Sequence, residues 1–446
     1  GFMYLGIPIH ILGFGFVDTI KIIFGASMVG SAVFCFLWLS KFFNRLASFI
    51  GALFYLYTPY HLFDLYKRGS IGEILALAVL PFILWQIERK SFFWSSIGIA
   101  FLIISHNTLA ILFLPIIIIY KLMDLLKENK KYVILNTLYL ILISLGLSAF
   151  FWIPAFFELK YTVFSQTQVS EWGAYFADTN LIGFSTIVIL LLTAIFFVTS
   201  KIQIKKHRLT LLFFIVGLVS VFFSSSLSSV LWNIFPVSFI QFPFRFLSIL
   251  IVCISFLAAC IISTSPKKLK IPITVLSLII LVFSAKQFLS PSEFFDKGEG
   301  LYATNMDTTT VKNEYMPKWV KQRPIERFKE KVEVVEGVGE INNVVYNSKK
   351  ITFNIEAKND MKVRVNTIYY PGWKAYVDNQ SAPISYSNER GVMDISVSTG
   401  KHLVKANFTE TPLRAASNTI SLLSFFGLLF LGIKDSKHVM SKHFFW

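Results

Sequence analysis

Residues 57–73 read Tyr57-Thr58-Pro59-Tyr60-His61-Leu62-Phe63-Asp64-Leu65-Tyr66-Lys67-Arg68-Gly69-Ser70-Ile71-Gly72-Glu73, a polar and aromatic stretch set between apolar runs at 46–56 and 74–85. It gathers two carboxylates (Asp64, Glu73), two cations (Lys67, Arg68), one histidine (His61) and three tyrosines (Tyr57, Tyr60, Tyr66). Carboxylates and imidazoles are the groups that take up protons at neutral pH, and guanidinium and ammonium groups hold anionic oxygens. Further along, the same residue types recur singly among apolar neighbours: His106-Asn107, Glu158 and Arg245.

Each of these residues also has a purely structural reading. Asp64 and Arg68 stand four apart, which on a helix makes an exposed pair worth about 0.3–0.5 kcal/mol. Ser70-Ile71-Gly72-Glu73 has the spacing of a capping box, with Glu73 reaching back to the Ser70 amide. Asn107 suits a helix cap and His106 a loop carbonyl. Arg245 opens an apolar run, where a snorkelling cation is ordinary.

The elements that position these residues follow from composition. The chain has 446 residues, 54% hydrophobic, 16% aromatic and 15% charged, with mean hydropathy +0.62. Its apolar residues come in membrane-length runs, which defines a polytopic membrane protein. Twelve runs are spanning or nearly so: about 2–15, 19–40, 46–58, 71–87, 92–104, 108–122, 131–153, 182–200, 209–225, 244–263, 271–287 and 416–433. Several are short of the roughly 20 residues of a straight span, so tilted, broken or re-entrant segments are expected. Residues 226–241, rich in Ser with Trp232 and Pro236, read as a partly buried loop. Cys35, Cys253 and Cys260 all lie inside apolar runs and read as lipid-facing or packing residues rather than a disulfide framework.

Charge then orients the chain. Residues 291–415 hold 18 Lys and Arg against 16 Asp and Glu, leaving 24 basic and 10 acidic residues elsewhere. That excess is dispersed over short loops, which fits orientation signals and lipid headgroups and excludes a nucleic-acid face. The loops 41–45, 88–91, 121–131, 201–208 and 266–270 and the tail after 433 collect the basic residues and are assigned to the cytoplasmic side. Alternation puts residues 57–70, 105–107, 154–180 and 226–245 and the soluble region 291–415 on the outer face. A basic residue there, such as Arg245, runs against the trend, which favours contact with a phosphate or substrate.

The domain reading is therefore a multi-span domain over 1–290, a soluble region over 291–415, a last span over 416–433 and a cytoplasmic tail over 434–446. Within the soluble region, residues 319–331 look like a basic helical piece. From Val332 the pattern alternates with period two, at 332–334, 350–355, 363–365, 393–397 and 402–408, between Gly, Asn, Asp and Ser turns. This is the signature of a small antiparallel β-sandwich. Pro371-Gly372 reads as a turn and Trp373 as a core or rim aromatic with a lesser prospect of sugar stacking. Phe151-Trp152 with Pro154 reads as an interfacial anchor ending a span, and Asn379 and Asn407 match a glycosylation sequon that is common by chance.

Taken together, Tyr57-Thr58-Pro59-Tyr60 leading to Asp64, Arg68 and Glu73, then Ser105-His106-Asn107, Phe151-Trp152-Ile153-Pro154 with Glu158, Phe242-Pro243-Phe244-Arg245, Tyr370-Pro371-Gly372-Trp373 and Thr411-Pro412-Leu413-Arg414 resemble the bacterial membrane proteins labelled 6-pyruvoyl-tetrahydropterin synthase-related, and the YfhO-like proteins. The resemblance implies a GT-C-like fold in the plasma or inner membrane, a polyprenyl-phosphate-linked sugar as donor and an extracytoplasmic cell-envelope glycan or lipid as acceptor. It also implies a base carboxylate in a first outer loop, which would lie upstream of Gly1. Pterin chemistry does not follow, because that calls for clustered zinc-binding histidines and the seven here are scattered. On this reading Asp64, Glu73, His106 and Glu158 are the proton-transfer candidates, Lys67, Arg68 and Arg245 hold the lipid phosphate, and Tyr57, Tyr60, Tyr66 and Asn107 meet the sugar. No cofactor is identified, and no metal-ligand spacing is readable. Two other classes stay open: a transporter or flippase for lipid-linked glycans, expected to show broken helices in two repeated halves, and a non-catalytic envelope-assembly protein.

Overall fold

The computed structural model describes residues 1–126, 128–164, 172–199, 207–234, 240–289, 298–304, 313–325 and 328–443. Lys127, residues 201–206, Pro236 and the start of the soluble region at 290–297 lie outside the described residues. The chain divides into two compact units. One comprises Gly1–Trp152, Val169–Ala303 and Ile420–Trp446, the other Ile153–Gln168 and Thr304–Thr419.

The first unit is helical, as uninterrupted apolar runs require when every backbone N–H and C=O must find a partner within its own segment. Among the described residues, seven helices are long and apolar enough to cross a membrane, and nine if each of two bent pairs counts as one. The seven are Phe16–Leu39, Ile71–Glu88, Asn107–Leu126, Lys130–Leu147, Pro243–Thr264, Lys267–Leu289 and Pro412–Leu431. Each of the twelve apolar runs falls on helix, but Phe2–Ile11, Arg45–Tyr57 and Phe92–Ser105 are shorter than a straight span, and the run 131–153 breaks at Ser148 into two helices. Residues 226–241 are not simply a loop: Ser226–Ile234 is helical and bent by 79° from Arg208–Ser224.

Two helices form the interior. Ile71–Glu88 and Pro243–Thr264 have 83% of their apolar windows buried, against 11–39% for the other five. Both are hydrophobic on every side, so they are surrounded by other helices while amphipathic or lipid-facing ones lie outside. Close approach is set by Gly51, where a Cβ would lie 2.6 Å from the Ser255 carbonyl oxygen, so Arg45–Tyr57 packs tightly on the second of them. All three cysteines are buried here, so they are packing residues and not lipid-facing ones. At the end of Ile71–Glu88 away from its N-terminus, Trp38 Nε1 donates to the Tyr120 hydroxyl at 3.0 Å, which donates to Glu88 Oε1 at 2.5 Å.

Among its described residues the second unit holds nine strands: β1 Val332–Glu336, β2 Gly339–Tyr346, β3 Lys350–Ala357, β4 Met361–Ile368, β5 Trp373–Val377, β6 Gln380–Ala382, β7 Ile384–Ser385, β8 Val392–Val397 and β9 Gly400–Phe408. They pair antiparallel throughout, as a four-stranded sheet β1-β4-β8-β7 and a five-stranded sheet β2-β3-β9-β5-β6. The period-two pattern explains the shared core: Ile351, Phe353, Ile355, Val404 and Ala406 from one sheet meet Met361, Val363, Val365, Met393 and Ile395 from the other. Each large apolar side chain so buried contributes about 1.5–3 kcal/mol. On the four-stranded sheet Arg364, in register with Asp394, grips both its oxygens at 2.8 and 2.9 Å.

One expectation fails in this unit. Described residues of 319–331 form turns and extended chain rather than a helix, because Trp319 Nε1 bonds the Tyr369 carbonyl and the Lys321 and Gln322 amides both bond the Glu389 carbonyl. Trp373 is a core aromatic as expected, buried against Phe408, which leaves no face for the sugar stacking that was its lesser prospect. Pro371-Gly372 is a turn, with Gly372 at φ +122°.

Candidate functional site

The site grows from a sequence of helix breaks. Arg45–Tyr57 stops at Thr58 because Pro59 follows, and Pro59–Leu62 restarts a single turn. The next six residues, Phe63–Arg68, form a wide π-type turn closed by Gly69 at φ +58°, a left-handed value that glycine adopts without strain. The chain then enters the buried helix Ile71–Glu88 with Glu73 in its first turn.

Glu73 has no exposure, and its carboxylate is the centre of an ionic network. Its Oε2 accepts from Arg68 Nη1 at 2.7 Å and from the Tyr60 hydroxyl at 3.3 Å. Its Oε1 accepts from Arg245 Nε at 3.0 Å and lies 3.5 Å from His106 Nε2. Three donors therefore bond the two oxygens of one carboxylate, and His106 stands close beside them. The capping-box reading of Glu73 fails here, since the Ser70 amide bonds the Asp64 carbonyl instead.

Arg68 also reaches Asp64, Nη1 to Oδ1 at 2.5 Å. This pair is not the exposed one that its spacing suggested: Asp64 is fully buried. Its second oxygen, Oδ2, is buried with no hydrogen-bond partner. Arg245 is held by Nη1 bonds to the Ile240 carbonyl and to Gln241 Oε1, both 2.7 Å, and by the Phe242 ring 4.9 Å from its guanidinium. Gln241 reaches that position at φ +66°, an unusual backbone for a residue with a side chain. The Phe244 ring lies 5.1 Å from the Arg68 guanidinium. Two carboxylates thus face two guanidiniums, and exposure falls on Arg68 at 17% and His106 at 20% while Glu73 and Asp64 have none.

His106 caps the helix Asn107–Leu122, its Nδ1 accepting from the Leu109 amide at 3.2 Å. The cap is His106 and not Asn107, because only His106 has the extended backbone that turns its side chain back on the first turn. A ring that accepts at Nδ1 carries its proton at Nε2, so His106 donates toward Glu73 and has no lone pair left for a substrate proton. His61, absent from the sequence assignment, is fully buried, with Nδ1 on the Tyr55 carbonyl at 2.9 Å and Nε2 without a partner.

The remaining candidates fall elsewhere. Glu158 pairs with Arg414 in the second unit, Oε1 to Nε at 2.8 Å and Oε2 to Nη2 at 2.7 Å, which occupies both its oxygens. Lys67 is exposed over the Phe63 ring, and Tyr57, Tyr66 and Asn107 are exposed. Tyr60 is buried with its hydroxyl on Glu73, leaving no ring face for a sugar. Sequence reasoning missed Gln241, whose signal was its place four residues before Arg245. Among the described residues no group of three or more metal-ligating side chains comes together.

An apolar cavity of about 440 Å³ opens along the same buried helix, lined by Leu75, Ala78, Val79 and Phe82 together with Phe34 and Phe101 of its neighbours. From Leu75 to Phe82 the lining runs about 10 Å along the axis. Compared with family models, curated proteins and solved structures, the chain has no match.

Proposed function

We propose that the first unit is a GT-C-like glycosyltransferase of the plasma or inner membrane, moving a sugar from a polyprenyl-phosphate donor to an extracytoplasmic envelope acceptor. The observation that carries this reading is the bare Oδ2 of Asp64, the one carboxylate oxygen of the ionic network that is buried without a partner. It is an acceptor of protons held beside fixed cations. In the proposed reaction Asp64 takes the proton of the acceptor hydroxyl as that oxygen bonds the anomeric carbon. The bond from that carbon to the phosphate oxygen breaks, and the electron pair leaves with the phosphate. Arg68, which reaches the exposed side of the network, meets the charge that develops on it, and Arg245 fixes Glu73 behind it. The apolar cavity offers room for part of an isoprenoid chain. Orientation follows from the basic loops, which place this end of the helices on the outer face.

The test is release of undecaprenyl phosphate from undecaprenyl-phosphate glucose, mannose or arabinose by the purified full chain supplied with cell-envelope glycans and lipids as acceptor. Asp64→Asn should lower the rate about 10²–10⁴-fold, the size of a lost general base. An Asp64→Asn protein as fast as wild type would overturn the assignment.

A flippase for lipid-linked glycans is favoured by one feature. Trp172–Ile182 and Phe184–Val198 meet at 71°, and Arg208–Ser224 and Ser226–Ile234 at 79°, the broken helices that transporters use. Translocation of a lipid-linked sugar in vesicles without any release of lipid phosphate would select that reading.

A further inference from the structure

Five aromatic side chains from separate stretches of the second unit converge on one patch: Tyr161, Trp319, Tyr369, Tyr370 and Tyr386, all half-buried. Trp319 is the hub, its ring centroid 5.3 Å from Tyr386, 5.8 Å from Tyr369, 6.2 Å from Tyr161 and 6.4 Å from Tyr370. Tyr369 and Tyr386 stack in parallel at 4.1 Å.

The patch is fixed in place. Trp319 Nε1 donates to the Tyr369 carbonyl at 3.1 Å, the Tyr369 amide bonds the Gly391 carbonyl, and the Lys318 amide bonds the Tyr161 carbonyl. Gly391 makes the close approach possible, since a Cβ there would stand 2.9 Å from Trp319 Cδ1. Rings locked before binding lose little freedom on binding, which is why Tyr and Trp dominate recognition surfaces.

The chemistry of the patch names its ligand. Four of the five rings end in a phenol hydroxyl, and Lys318, Lys321, Gln322, Glu389 and Arg390 are exposed in the adjoining chain, so both charge signs are present. A lipid would call for a continuous apolar face, whereas here side chains of both charge signs border the rings, Lys321 standing 3.2 Å from Glu389. A pyranose ring fits better: its C–H face packs on the electron-rich face of an aromatic ring while its hydroxyls meet the polar tips. Burial, then the Glu158 carboxylate, pushes the Tyr370 hydroxyl up to about 12, so it remains a neutral group at physiological pH.

We propose that this aromatic patch binds a neutral glycan chain. Resting on the transferase reading above, that chain belongs to the class of the acceptor.

The experiment is saturation-transfer NMR on the purified full chain in detergent, with maltohexaose, chitohexaose and mannohexaose as neutral probes and decaproline as the competing class. At least one hexasaccharide should bind, and Trp319→Ala and Tyr386→Ala should each weaken it about ten-fold or more. Tyr386→Phe keeps the ring and should stay within about three-fold, whereas Tyr386→Leu keeps an apolar side chain, loses the ring and should fall with the alanine variant. Circular dichroism and the melting temperature confirm that each variant is folded. Binding of none of the sugars, binding that ignores ring removal, or ring-dependent binding of decaproline in their place overturns the proposal. The binding is read with no donor lipid present and transfer is read in a separate assay, so failure of the glycan patch is distinguished from failure of the transferase reading.

Discussion

The two buried carboxylates should respond unequally to neutralisation. Glu73→Gln removes the charge on which Arg68, Arg245, Tyr60 and His106 converge. At the 3.0 Å separation of Arg245 Nε and Glu73 Oε1, the direct attraction is about 5 kcal/mol at an effective dielectric constant of about 20. Part of this offsets the cost of taking both ions out of water, and stranding one partner of a buried pair costs about 3–5 kcal/mol. Asp64→Asn is milder, because Arg68 keeps Glu73 and only one charge-assisted bond is weakened, about 1–2 kcal/mol. Stability should therefore fall further for Glu73→Gln, by about 2 kcal/mol, while transfer falls with Asp64→Asn in a protein that remains folded.

The assay is equilibrium unfolding in a fixed detergent for both variants, for Arg245→Met and for the double variant of Glu73 and Arg245. Because the two side chains touch, the double change should cost less than the sum of the single ones by more than about 1 kcal/mol. A Glu73→Gln protein as stable as Asp64→Asn, together with strictly additive changes at 73 and 245, would refute the view of Glu73 as the structural centre.

Two further outcomes are expected. In the β domain the Asp378 carboxylate accepts from His402 Nδ1 at 2.7 Å and raises the imidazole above its ordinary 6.5, while the Leu403 amide, then His402, lowers Asp378 below 3.8. The His402 contribution is complete below its unfolded value and is lost as pH rises through the raised folded one; that of Asp378 is present above its unfolded value and is lost as pH falls through the lowered one. Melting temperature should decline as pH rises above about 6.5, and His402→Gln should flatten that decline; an identical slope in the variant would refute the pair's role. Gly183 lies at φ +89° with its would-be Cβ 2.7 Å from Pro59 Cγ, so Gly183→Ala should cost about 2–4 kcal/mol. Gly69→Ala meets open space at φ +58° and should cost about 1 kcal/mol; equal unfolding midpoints for the two variants would contradict this contrast.

The fold was legible where it depends on periodicity. Twelve apolar runs fall on helix, and the alternation from Val332 onward gives strands whose inward residues, Phe353, Val363 and Ile395 among them, make one core. The misreadings arise where a distant partner outweighs a local preference. Ser70 to Glu73 has capping-box spacing, but a carboxylate offered two guanidiniums gains more from them than from one amide. Residues 319–325 are held as turns by Glu389 and Tyr369, far along the chain, so local composition could not show it.

The same logic separates residues of one chemical type into different roles. Asp64, Glu73 and Glu158 look alike in sequence, and a buried carboxylate is tolerated only beside a counter-charge. A glutamate in the first turn of the most buried helix therefore demands cations, and Arg68 and Arg245 are cations that the basic loops do not explain. Charge balance thus brought Glu73 and Arg245 within reach of inference across 172 residues of chain. It could not say how many lone pairs each carboxylate would have filled. Both oxygens of Glu73 are bonded, by Arg68, Tyr60 and Arg245, and Glu158 is taken by the fork of Arg414, while Asp64 keeps one oxygen bare. Unfilled capacity, rather than residue type or burial, is what singles out Asp64, because a proton can be accepted only where no other donor already sits.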